Sequence, residues 1–123
     1  MDIMAQGSLI ARLPERLQFL VPARFRARLP VVPVVRLSGA IGMAMPLRPG
    51  LSMALLAPVL ERAFSLKGAK GVAIVVNSPG GSPAQSHLIF RRIRALAEEK
   101  KLPVFAFVED AAASGGYMIA CAA

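Results

Sequence analysis

Val72-Ala73-Ile74-Val75-Val76-Asn77-Ser78-Pro79-Gly80-Gly81-Ser82 is the stretch that decides the fold. Its first five residues are an unbroken apolar run, as in a strand covered on both faces. The next six, rich in Pro, Gly and Ser, form a loop. The spacing then predicts a helix from Pro83 to Lys101. Ile89, Ile93, Leu96 and Ala97 make its apolar stripe, with Arg91, Arg92, Arg94, Glu98 and Glu99 on or near the wet side. Leu102-Pro103 ends it, because the residue before a proline disfavours helical backbone. Val104-Phe105-Ala106-Phe107-Val108 reads as a second buried strand. Glu109-Asp110-Ala111-Ala112-Ala113-Ser114-Gly115-Gly116-Tyr117 follows and leads into a helix of small residues. Strand, loop, helix, strand, loop, helix is a βαβα unit. The sequence therefore predicts an α/β fold with a parallel sheet and right-handed crossovers.

Upstream, Val31-Val32-Pro33-Val34-Val35-Arg36-Leu37 is β-branched and reads as a strand with Pro33 near its start. Ser38-Gly39-Ala40-Ile41-Gly42 reads as a turn or bulge. From Leu51 to Leu66 the spacing is helical, with Leu55, Leu56, Val59, Leu60 and Ala63 sharing a face. Pro58 is expected to kink this helix or to start a second segment. Lys67-Gly68 and Lys70-Gly71 are stop signals. Residues 1–30 form a basic extension carrying Arg12, Arg16, Arg24, Arg26 and Arg28, and residues 31–123 form the domain proper.

Composition narrows the function classes. The chain has 123 residues, enough for one domain, with a net charge of +8 and 55% hydrophobic residues. Such a chain buries enough apolar surface to fold, which excludes a disordered tail. One cysteine, Cys121, excludes an intrachain disulfide framework and reads as a small buried core residue. Cys121 and His87 alone fall short of a four-ligand zinc site. The uncharged stretches are shorter than the roughly 20 residues of a transmembrane helix, and Met1 to Gly7 has no basic leader. The expected location is cytoplasmic or peripheral to the inner membrane. The charge fits an anionic partner, with the five arginines of the extension as a membrane contact. The other reading, favoured because Pro14 and Pro22 keep the amphipathic stretch short, is an extension packed on its own domain with its arginines in solvent. One Tyr and no Trp speak against nucleic acid.

In a parallel α/β sheet, ligands bind where strands run into helices. Two such loops carry glycine pairs, Gly80-Gly81 and Gly115-Gly116. Free N–H groups there can bind an anion or a developing oxyanion. Ser114, at a helix start, reads either as an N-cap or as an exposed hydroxyl with chemistry to perform.

The run Asn77-Ser78-Pro79-Gly80-Gly81-Ser82, a helix, a Pro-Val strand, and Ala112-Ala113-Ser114-Gly115-Gly116-Tyr117-Met118-Ile119-Ala120 together resemble the signal peptide peptidase A family, also called protease IV. These are serine peptidases of the ClpP/crotonase superfold. The likeness runs from about Val31 to Ala123. It implies Ser114 as nucleophile and the backbone N–H groups of Gly81 and Gly115 as oxyanion hole, with Gly80 beside them. It also implies no cofactor, peptide substrates bound as an extended strand, a homo-oligomer, and a lysine base whose pKa burial lowers.

The sequence departs from the family at the base, since no Lys follows Ser114. Lys67, Lys70, Lys100 and Lys101 stand at helix ends and read as solvated. His87 reads as a helix-surface residue, and Glu109 and Asp110 as a loop pair that could orient a partner. The apolar end Tyr117 to Ala123 has no glycine stop. The chain therefore reads as the front portion of a longer protein, or as a truncated and inactive fragment. Two alternatives stay open: a crotonase-like acyl-CoA enzyme using the same oxyanion hole without Ser114, and a non-enzymatic binding module.

Overall fold

The computed structural model describes residues 30–43 and 49–123. The basic extension expected over residues 1–30 thus lies, but for Pro30, outside the described residues. The elements alternate in the expected order: β1 (Val34–Ser38), α1 (Met53–Phe64), β2 (Val72–Ser78), α2 (Pro83–Lys100), β3 (Val104–Ala112) and α3 (Gly115–Ala120). The three strands form one parallel sheet in the order β1-β2-β3.

Local chemistry sets the boundaries. Pro33 has no N–H to give a ladder, and β1 begins just after it. Ser52 caps α1, its hydroxyl accepting from the Leu55 N–H. Ser82 caps α2 in the same way, with Pro83 at the first helical position, where its missing N–H is no loss. Lys101 closes α2 with φ +54°. Pro58 lies inside α1, which runs unbroken through it instead of dividing into two segments. Tertiary packing accounts for this: Leu56 and Leu60, on either side of Pro58, are both buried in the core.

Strands added in one direction with crossovers of one hand leave their helices on one face. Accordingly α1 and α2 pack together. Glu61 pairs with Arg92 across them, and the Met53 N–H donates to Gln85 Oε1 at 2.8 Å. The core lies between these helices and the sheet. It joins Val35, Leu37, Val72, Ile74 and Val76 to Leu56, Leu60, Phe64, Ile89, Ile93 and Leu96. Each large side chain so buried contributes roughly 1.5–3 kcal/mol.

The expectation that Val104–Val108 is a buried strand is corrected. β3 runs on to Ala112, and Phe105 and Phe107 are 52% and 56% exposed. Among the described residues, no helix covers the sheet face on which they lie. β2 stays buried because it is flanked on both sides, with small Ala73 in register between Val34 and Phe105. Glu109 and Asp110 belong to β3 and not to a loop. Glu109 pairs with Arg36 on β1 (2.6 and 2.8 Å), and Asp110 accepts from the Asn77 side chain at 2.9 Å. Cys121, expected in the core, is exposed.

The Arg36–Glu109 pair is a surface pair, with side chains 62% and 33% exposed. Solvent screening leaves such pairs little net value. Glu109→Gln is expected to destabilise by less than about 1 kcal/mol. Melting curves at low and high salt check this, and the difference between the two proteins should shrink as salt rises.

Candidate active site

The C-terminal ends of β2 and β3 bring the two glycine loops together. β3 bulges before it ends: Val76 pairs with Val108 and Ser78 with Ala112, so four residues of β3 span what two cover in β2. Such a bulge re-aims the chain that follows it. The Ala113 N–H then donates to the Ser78 carbonyl at 3.0 Å, which sets Ser114 beside Gly80. A Cβ built on Gly80 would lie 2.8 Å from Ser114 Cβ and 3.0 Å from Gly115 N. Only glycine allows this contact, and Gly80 also has φ +97°.

Ser114 has φ +50° and ψ −118°, its hydroxyl makes no capping bond, and the residue is exposed. Ser114 thus stands at the N-cap position of α3 but does not cap it through its side chain. Non-glycine residues in this backbone region are rare and cost of order 1–3 kcal/mol, and such strain concentrates at functional positions. A serine held on a sharp strand-to-helix turn presents its hydroxyl outward, clear of its own helix.

The second loop is shaped by a residue that the sequence reading left in a turn. Ile41, fully buried, pairs in parallel with Gly81. Its N–H donates to the Gly80 carbonyl at 2.9 Å, and its carbonyl accepts from the Ser82 N–H at 2.8 Å. In parallel pairing, residues 80 and 82 face the partner and residue 81 faces away. Neither the Gly81 nor the Gly115 N–H donates to another described residue. The Gly80 N–H is engaged, donating to Ser78 Oγ at 3.1 Å. Of the three glycines expected at the oxyanion hole, Gly81 and Gly115 thus keep available donors. Ser78 and Ser86, both fully buried, were not singled out from sequence. The signal for Ser86 was its position four residues after the helix cap, where a serine hydroxyl can bond back to the i−4 carbonyl.

All four lysines of the chain lie at the other end of the sheet. Lys67 and Lys70 precede β2, Lys100 and Lys101 precede β3, and all are exposed. The seven residues of β2 separate the two ends by roughly 20 Å. His87 is exposed on α2, as expected. The carboxyl of Glu99, at the end of α2, is held below its ordinary value by a hydrogen bond from Lys100 and by that ammonium's charge. It too stands at the far end. Among the described residues, no group of three or more His, Cys, Asp or Glu could hold a metal ion.

The architecture is α/β and consistent with part of a ClpP/crotonase-like fold, with a strained serine and two backbone N–H groups that reach no acceptor among the described residues at the carboxyl edge of its sheet. No family model matches the sequence. The chain is 56% identical over 122 residues to a protein of Brucella melitensis biotype 1 named Na(+)/H(+) antiporter NhaA, a match covering 98% of this chain and 17% of that protein. It is 36% identical over 96 residues to Serine protease SPPA, chloroplastic, of Arabidopsis thaliana, covering 75% of this chain and 14% of that protein. It is 48% identical over 54 residues to a protein of Methanocaldococcus jannaschii named provisionally as a protease, covering 44% of this chain and 17% of that one. The chain thus spans about a sixth of the length of these relatives, and part of it is homologous to parts of proteins named as proteases.

Proposed function

We propose that this chain carries the nucleophile and oxyanion-binding part of a serine peptidase. The observation that carries the reading is the backbone of Ser114: positive φ, an uncapped hydroxyl, and exposure beside Gly80. The plant relative named as a serine protease supports it.

In the reaction, Ser114 Oγ gives its proton to a base and bonds to the scissile carbonyl carbon. The carbonyl's π electrons move onto oxygen, and the Gly81 and Gly115 N–H groups stabilise that charge. Collapse expels the amine, which takes the proton from the base. Water then releases the acyl group from Ser114. The resemblance to signal peptide peptidase A makes the base a lysine with a pKa depressed by burial. That lysine comes from polypeptide beyond this stretch or from a neighbouring copy. The same resemblance supports peptide substrates bound as an extended strand, signal peptides or membrane-associated peptides among them, and a homo-oligomer. The arginines of residues 1–30 would serve as a peripheral membrane contact.

The antiporter-named relative favours a second reading, in which this region belongs to a polypeptide that also transports ions. Among the described residues, no helix is long and apolar enough to cross a membrane. We assign any such transport to the remaining five sixths of that protein. A crotonase-like acyl-CoA chemistry would need the oxyanion donors alone and leaves the strain at Ser114 without use.

Covalent labelling tests the proposal. A serine-directed fluorophosphonate should modify the full-length protein that contains this chain, with the adduct mapping by mass spectrometry to Ser114. Peptide hydrolysis by a protein whose Ser114 stays unlabelled would count against it.

A further inference from the structure

We infer that Ser86 is a positioning residue that holds the two oxyanion donors in register, an inference resting on the peptidase reading above. Ser86 lies on the buried side of α2, fully enclosed. Its hydroxyl donates to the Ser82 carbonyl at 2.8 Å, and its N–H bonds to the same oxygen at 3.0 Å. Ser82 directly follows Gly81. Ser86 therefore fixes the Ser82–Pro83 peptide, the second peptide after the one that holds the Gly81 N–H.

It also touches the second. A Cβ built on Gly115 would land on Ser86 Oγ and lie 3.0 Å from Ser86 Cβ. The Gly115 backbone thus rests directly against the Ser86 side chain. The third neighbour there is Ile41 Cδ1, at 3.2 Å. Ile41 is the residue whose pairing turns the Gly81 N–H away from it. One buried hydroxyl meets both glycine loops, through a hydrogen bond to one and van der Waals contact with the other. Oxyanion donors act only if preset where charge develops, so a small displacement lowers the rate more than substrate binding.

The test uses the full-length protein as wild type, Ser86→Ala and Ser86→Cys, with peptide hydrolysis and amide NMR as two separate readouts. In Ser86→Ala, kcat is expected to fall about tenfold with KM within twofold of wild type. Ser86→Cys, whose thiol is a weak donor, should fall between the two. The Gly81 and Gly115 amide resonances should both shift in Ser86→Ala, while far residues such as Lys67 stay in place. A second pair guards against simple unfolding. Gly115→Ala should lower the melting midpoint, and adding Ser86→Gly should recover part of that loss by clearing the space. Unmoved Gly81 and Gly115 amides, an unchanged kcat, or no recovery in the double variant would each overturn the inference. Absence of Ser114-dependent hydrolysis in the wild type would instead sink the peptidase reading, while the amide shifts and the recovery still decide the role of Ser86.

Discussion

Replacing Ser114 by alanine is expected to abolish peptide hydrolysis in the full-length protein while leaving the fold in place. Without Oγ no acyl-enzyme forms, and water must attack the substrate directly. Losing the nucleophile of a serine hydrolase lowers kcat by about 10⁴- to 10⁶-fold, with a residue of rate from the oxyanion donors. KM should change little, because the hydroxyl contributes mainly after binding. The melting midpoint should also stay close to wild type, since alanine bears the same strain at φ +50°. Ser114→Gly sharpens the test. Glycine removes the strain of about 1–3 kcal/mol, offset by about 0.5–1 kcal/mol of added chain entropy. That variant should melt at or above the wild-type temperature and be equally inactive. Hydrolysis close to the wild-type rate after either substitution excludes Ser114 as nucleophile. Acyl-CoA turnover indifferent to both would move the assignment to crotonase-like chemistry.

Gly81→Ala is expected to be the most damaging small substitution among the glycines of the two loops. A Cβ there lands on the Ile41 carbonyl oxygen and lies 2.8 Å from Ile41 N and 2.9 Å from its carbonyl carbon. These are backbone atoms, so no side-chain rotation relieves the clash. Gly81 also has φ +148°, which a Cβ disfavours. The chain must part from Ile41, losing the bonds on either side of Gly81. We expect a loss of about 2–4 kcal/mol of stability. In whatever remains folded, kcat should drop about 10²- to 10³-fold as one donor leaves its place. Gly39→Ala is the control. Gly39 has φ +108°, but nothing lies within 4 Å of its would-be Cβ. It therefore carries the conformational cost alone, about 1 kcal/mol. Denaturant midpoints separate the two effects, and equal losses at Gly39 and Gly81 would refute the role of the Ile41 pairing.

Most of the element order was legible in the sequence because its causes are local. The Val72–Val76 run, the Ser82-Pro83 start of α2 and the apolar stripe at Ile89, Ile93 and Leu96 each follow from neighbours a few residues apart. The errors fell where distant residues decide. Phe105 and Phe107 look like core residues, yet their exposure depends on which sheet face the helices cover. Pro58 could start a second helical segment, yet α1 is one helix through it, with Leu56 and Leu60 buried on either side.

The candidate site divides in the same way. The sequence alone supplied its parts: two glycine pairs after two strands, a serine between them, and four lysines that all precede strands. The tertiary structure decided how those parts are used. Pairing with Ile41, forty residues away in sequence, frees the Gly81 N–H, while Ser78 occupies that of Gly80. The bulge in β3 and its bond to Ser78 set Ser114 in a left-handed backbone. Residue spacing determines which elements form, since helix and strand preferences act over a few residues. Which donors stay free, and which hydroxyl faces outward, follows from hydrogen bonds that close only when distant segments meet.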